Sequence, residues 1–144
     1  MYKIRGIILS GSPMMLDKPL LVSQIVPCIM SLLVLKVPIL GICFGCQFIN
    51  VAFGGSLERL SHSVCKPVTT FIQDEELKPQ YCANLMIDKV APSFDAIGYV
   101  NIESKKYVCA IKHKERDITG YLFHPEYFHN THYLLDDFIH QCYN

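Results

Sequence analysis

Gly41-Ile42-Cys43-Phe44-Gly45 follows the apolar run Val37-Pro38-Ile39-Leu40 and leads into Cys46-Gln47-Phe48-Ile49-Asn50-Val51-Ala52-Phe53. Together these residues predict a buried strand over 37–42, a sharp turn at Cys43 and a helix over 44–53. Gly54-Gly55 then supplies glycine where a helix usually ends. A residue on such a strand-to-helix turn needs small neighbours two positions to either side, because a Cβ there would meet the turn. The turn also holds the side chain at a helix N-terminus, whose partial positive charge favours a thiolate and predicts a lowered cysteine pKa. The Phe44 N–H would point toward a developing oxyanion. A nucleophilic cysteine fits this pattern; a buried cysteine on a glycine-rich turn is the plainer alternative.

Outward from the turn, Ile4 to Leu9 reads as a strand stopped by Ser10-Gly11-Ser12-Pro13. Leu20 to Leu35 suits a buried helix, with Pro27 kinking it or marking its start. Beyond Gly55, five β-favouring runs follow, at 64–72, 81–87, 96–102, 107–113 and 118–123. A last helix over 131–142 sets Leu134, Leu135, Phe138 and Ile139 on one face and Asp136, Asp137 and His140 on the other. This order predicts an α/β sheet with an antiparallel extension. The 144 residues suffice for a single domain, 1–144.

Composition narrows the function classes. Lys+Arg and Asp+Glu balance at 13 each, with no basic run, which argues against a nucleic-acid partner. The most apolar window, Pro19 to Leu40, is interrupted by Gln24, Pro27, Lys36 and Pro38, which argues against a membrane span. The apolar stretch near the start stops at Ser10-Gly11, too short for a signal peptide. The seven cysteines are odd in number and irregularly spaced, and most sit in apolar runs as small hydrophobes would. They read as reduced thiols in a cytoplasmic setting.

The second chemical signal is Gly120-Tyr121-Leu122-Phe123-His124-Pro125-Glu126. A strand ends at His124, Pro125 forces an extended exit, and Glu126 can turn back to the imidazole. A thiol nucleophile needs a base for its proton, and the base needs a third group to fix its tautomer. Cys43 and His124 stand 81 residues apart, a gap the fold must close.

Taken with Gly6 to Pro13, Pro38 to Gln47 and Gly54-Gly55, this stretch resembles the class I glutamine amidotransferases along nearly the whole chain. The likeness is strongest to the amidotransferase part of GMP synthases. It rests on the Ser-Gly-x-Pro loop, Ala110-Ile111-Lys112-His113-Lys114, and His129 three residues after Glu126. The resemblance implies a flavodoxin-like fold and release of ammonia from glutamine through a cysteine thioester. It assigns Cys43 as nucleophile, His124 as base and acid, and Glu126 as orienting carboxylate. Ser12 and Phe44 become the oxyanion-hole amides, and Gly11 and Gln47 glutamine contacts. It calls for no metal or cofactor, and implies an ATP-dependent, GMP-forming synthetase partner acting on xanthosine monophosphate. No Walker-type loop is present for the chain to bind ATP itself.

The sequence also departs from the family. Only Met1 to Arg5 precede the Gly6-Ile7-Ile8-Leu9 strand, where the family has a strand and a helix. That shortening predicts an exposed sheet edge, which another chain or a second copy would cover. Ser12 replaces a loop glycine, so a positive φ there would be strained and the oxyanion hole misaimed. The family's Ser-His-x-Asp-x-Val reads Leu85-Met86-Ile87-Asp88-Lys89-Val90, and Leu122 replaces a glutamine. Two other readings stay open: a catalytically impaired domain that binds or regulates a partner, and a redox protein using Cys43-x-x-Cys46. Zinc would need two further ligands at paired spacing.

Overall fold

The computed structural model describes residues 2–16 and 18–144. In chain order, strand β1 (Ile7–Leu9) leads to helix α1 (Pro19–Leu33), β2 (Ile39–Ile42), α2 (Phe44–Ala52) and β3 (Ser56–Pro67). Strands β4 (Thr70–Ile72), β5 (Glu75–Leu77), β6 (Gln80–Lys89), β7 (Phe94–Ile102), β8 (Lys105–His113) and β9 (Ile118–Tyr121) come next. A 3-10 turn, His129–Thr131, precedes the last helix, α3 (Tyr133–Cys142).

The strands form one sheet in the order β1-β2-β9-β8-β7-β4-β5, with β6 pairing both β3 and β8. The pairs β1–β2 and β2–β9 are parallel, and every other pairing is antiparallel. This is the expected α/β architecture of parallel strands joined by helical crossovers, continued by an antiparallel extension. Among the described residues β2 is the only strand neighbour of β1, so β1 presents an open sheet edge.

The β2 pattern follows from its position. It lies inside the parallel part with α2 over it, and all four residues are buried, as in a strand covered on both faces. Helix α2 is pinned by Asn50, which is fully buried. Its amide donates to the carbonyls of Ser56 and Lys89, and its Oδ1 accepts from the Ala91 N–H. These bonds lock the crossover helix to the antiparallel β3–β6 ladder.

Four expectations need correction. The run 64–72 is two strands: β3 pairs with β6, and β4, after a break at Val68-Thr69, pairs with β5 and β7. Alternating apolar residues cannot reveal that the chain changes partners. Helix α1 runs through Pro27 and starts at Pro19, where a missing N–H costs nothing. It is also far from a buried helix. Only Ile25 and Ile29 are buried, whereas Leu20 and Met30 are 72% and 59% exposed, and Val34, the C-cap, is 77% exposed. On α3, Leu134 and Phe138 are buried but Ile139 faces solvent.

Candidate active site

Parallel pairing closes the 81-residue gap. Ile42 on β2 lies opposite Tyr121 on β9, and the Cys43 N–H donates to the Tyr121 carbonyl at 2.8 Å. Both strands end at the same level, so Cys43 leaves one strand end and His124 follows three residues past the other. This is the C-terminal edge of the parallel strands, where such sheets gather their ligands.

Cys43 itself has φ 52° and ψ −105°. A side-chain-bearing residue pays about 1–3 kcal/mol for such a conformation and keeps it only where its surroundings hold it. The surroundings here are tight. A Cβ on Gly41 would lie 2.7 Å from the Gly45 carbonyl, and one on Gly45 would collide with the Leu9 carbonyl. The need for glycine at both flanking positions, read from sequence, therefore has a backbone cause. The Cys43 carbonyl accepts the first helical bond from the Gln47 N–H at 3.0 Å, so the turn passes directly into α2.

The thiol is not acidified as the helix N-terminus suggested. Burial pushes Cys43 up to about 11, and the nearby Cys82 and Glu126 push the same way. The Phe44 N–H acts in the expected direction, lowering it, but desolvation is the larger effect. In this state the Cys43 Sγ–H donates to the Cys82 carbonyl at 3.5 Å.

His124 is fixed from both sides. Its N–H donates to the Gln80 carbonyl at 2.8 Å, and its Nδ1–H donates to Glu126 Oε2 at 2.9 Å. That tautomer leaves Nε2 of the neutral ring able to take a proton. The turn that carries Glu126 is itself tied down. Thr131 Oγ1 donates to the Pro125 carbonyl at 2.8 Å, and His132 Nε2–H donates to the Glu126 carbonyl at 2.9 Å. His129 stands exposed beside His132.

A cavity of about 760 Å³ opens over these groups, lined by Gly11, Ser12, Cys43, Gln47, Cys82 and His124 among others. A Cβ on Gly11 would lie 3.3 Å from His124 Cε1 and 4.0 Å from Cys43 Cβ, so both side chains converge on this glycine. Ser12 is not among the non-glycine residues with positive φ; its Oγ accepts from the Met14 N–H at 3.2 Å, and the loop needs no left-handed residue there. Gln47 lines the cavity but is almost fully buried, its Nε2 donating to the Leu85 carbonyl at 3.1 Å. Asp88, kept from the family's Ser-His-x-Asp element, lies outside the cavity lining and accepts from Ser56 Oγ at 3.3 Å.

Sequence reasoning missed Gln80, Cys82, Asn84 and Tyr127 on the cavity wall. The alternation of buried and exposed residues along β6 puts Cys82 and Asn84 on one face, the one signal that could have found them. Cys46 is fully buried against Gly120, as a core filler would be. Cys43, Cys46 and Cys109 are buried and Cys142 half-buried, whereas Cys28, Cys65 and Cys82 are exposed. Among the described residues no group of three or more His, Cys, Asp or Glu side chains could hold a metal ion, and no helix is long and apolar enough to cross a membrane.

Residues 1–142 match the family model of class I glutamine amidotransferases. The chain is 31% identical, over 151 aligned positions, to a glutamine-hydrolysing GMP synthase subunit from Methanococcus maripaludis strain C6, covering 97% of this chain and 75% of the relative. It is 35% identical, with the same coverage, to the protein of the same name from Methanococcus aeolicus. Its fold is similar to the crystal structure of a Thermoplasma acidophilum protein ascribed to a GMP synthase. The TM-score is 0.80 at 25% identity, over 97% of this chain and 73% of the other.

Proposed function

The chain belongs to the class I glutamine amidotransferase family, and from that premise we propose that it hydrolyses glutamine through Cys43, His124 and Glu126 as one domain. The observation that carries this reading is the junction of two strand ends. Ile42 and Tyr121 lie in register, so a strained cysteine elbow and a carboxylate-oriented imidazole open on one cavity.

The reaction divides into two halves. The side-chain amide of glutamine enters beside Cys43. His124 Nε2 takes the thiol proton as sulfur attacks the amide carbon, and Glu126 steadies the imidazolium through Nδ1. The Phe44 N–H, which already interacts with the sulfur, and the Ser12 loop amide receive the oxyanion. His124 then gives its proton to the leaving nitrogen, ammonia departs, and a γ-glutamyl thioester remains. Water attacks that thioester, His124 again taking the proton, and glutamate and free Cys43 are released. Gly11 and Gln47 shape the wall around the glutamine chain. The raised Cys43 pKa suits this order, because a neutral resting thiol loses its proton only as the substrate is attacked.

The relatives named as glutamine-hydrolysing GMP synthase subunits support a finer reading. The ammonia passes to a separate ATP-dependent synthetase that aminates xanthosine monophosphate, within the cytoplasm. The test is glutamate release from glutamine by the purified chain, alone and with such a synthetase. Activity in either setting, falling at least about 10⁴-fold in Cys43→Ala, is expected. Activity that survives in Cys43→Ala would reject this assignment.

A further inference from the structure

The cavity wall carries two thiols for which the proposed reaction has no use. Cys65 on β3 and Cys82 on β6 are directly opposed in the antiparallel ladder, both are exposed, and their sulfurs lie 3.0 Å apart. Both also line the cavity that holds Cys43. Opposed residues of an antiparallel pair have Cα atoms roughly 4.5–5.5 Å apart. That range falls within the roughly 4.4–6.8 Å that a disulfide spans, so a bond can form here without moving the backbone. We propose that Cys65 and Cys82 are a reversible disulfide site on the wall of this cavity, closed by a hydroperoxide and reopened by a dithiol.

The chemistry needs only these two side chains and the oxidant. One thiolate attacks the terminal peroxide oxygen, the O–O bond breaks, and the sulfur becomes a sulfenic acid. The expelled alkoxide (hydroxide from hydrogen peroxide) takes the proton released by that thiol and leaves as an alcohol or water. The second thiolate attacks that sulfur, forming the S–S bond and expelling hydroxide, which leaves as water with the proton released by the second thiol. Two electrons pass from the thiols to the peroxide. A dithiol returns them and is itself oxidised to a disulfide. The hydrogen bond with Cys65 holds the Cys82 thiol above its ordinary value. The other candidate pair does not compete, since Cys46 is sealed beneath the elbow with no access to an oxidant.

The site stands independently of Cys43, which allows a test separate from catalysis. The full chain carrying Cys43→Ala is treated with hydrogen peroxide, blocked with an alkylating agent and digested without reductant. The expected result is loss of two titratable thiols per chain. The Cys65 and Cys82 peptides should appear as one species, two hydrogens lighter than their sum, separated again by dithiothreitol. Cys65→Ser should abolish the linked species while its circular dichroism spectrum stays unchanged. Phenylarsine oxide, which bridges paired thiols, should bind the parent chain and lose its site in Cys65→Ser. Separately alkylated Cys65 and Cys82 after peroxide, or Cys82 linked to another cysteine, would overturn the proposal.

Discussion

Helix α2 buries Gly45, Cys46, Gln47, Ile49, Asn50 and Val51, whereas α1, from the more apolar stretch, buries only Ile25 and Ile29. Helix α2 packs on β1, β2 and β9, whereas α1, which joins β1 to β2, packs chiefly against α2. Helix α2 is held on several sides, by β2, by the β9 glycine that admits Cys46, and by the Asn50 bonds to the antiparallel β3–β6 ladder. Helix α1 has one covered side and turns Leu20, Met30 and its C-cap Val34 to solvent. Apolar content says that a face leaves water at a gain of about 25 cal/mol per Å², not which surface receives it. What separates these helices is polar anchoring and backbone contact, which hydropathy does not register.

The contrast is sharpest at Gly45, where an added Cβ meets the Leu9 backbone and no flexible side chain can yield. Gly45→Ala should destabilise the chain by at least about 3 kcal/mol, read by chemical denaturation. A loss under about 1 kcal/mol would mean that α2 is not clamped to β1 as described. A smaller effect concerns the elbow thiol. With Cys43 pushed up to about 11 by burial, its alkylation by iodoacetamide should rise about tenfold per pH unit from pH 7 to 9. The sign for stability follows from the same shift. The thiol pKa is higher folded than its ordinary value of 9.0, so its contribution is full below about pH 9 and is lost as pH rises toward about 11. An alkylation rate already flat at pH 7 would instead indicate a standing thiolate–imidazolium pair. The smallest effect belongs to α1. Leu20→Gln, Met30→Gln and Val34→Gln should each stay within about 0.5 kcal/mol of the parent in the same denaturation assay. A cost of about 2 kcal/mol would show that this face is buried in solution.

Much of this was legible in the sequence, for reasons that differ by region. The elbow could be read because its geometry admits few residues: Gly41 and Gly45 are required by direct backbone contact. The His124-Pro125-Glu126 turn was legible for a similar reason, since Glu126 reaches Nδ1 within two residues. What closes the site was less visible. The Thr131 and His132 bonds that brace the turn, and the Cys82 carbonyl that accepts the Cys43 thiol, depend on pairings that no local pattern announces. Register decided them. The rise in the Cys43 pKa was misjudged for a further reason: a helix N-terminus is visible in sequence, but the depth of burial opposing it is not. Cys65 and Cys82 lie 17 residues apart and become neighbours only once β3 and β6 have paired.

The most direct measurement is covalent capture by a glutamine-mimicking electrophile, followed by intact-mass and peptide mapping. One adduct per chain is expected, on Cys43, slowed by added glutamine and absent from Cys43→Ala. Labelling that falls on Cys65 or Cys82 instead, or that ignores added glutamine, would contradict the assignment of this cavity to glutamine chemistry.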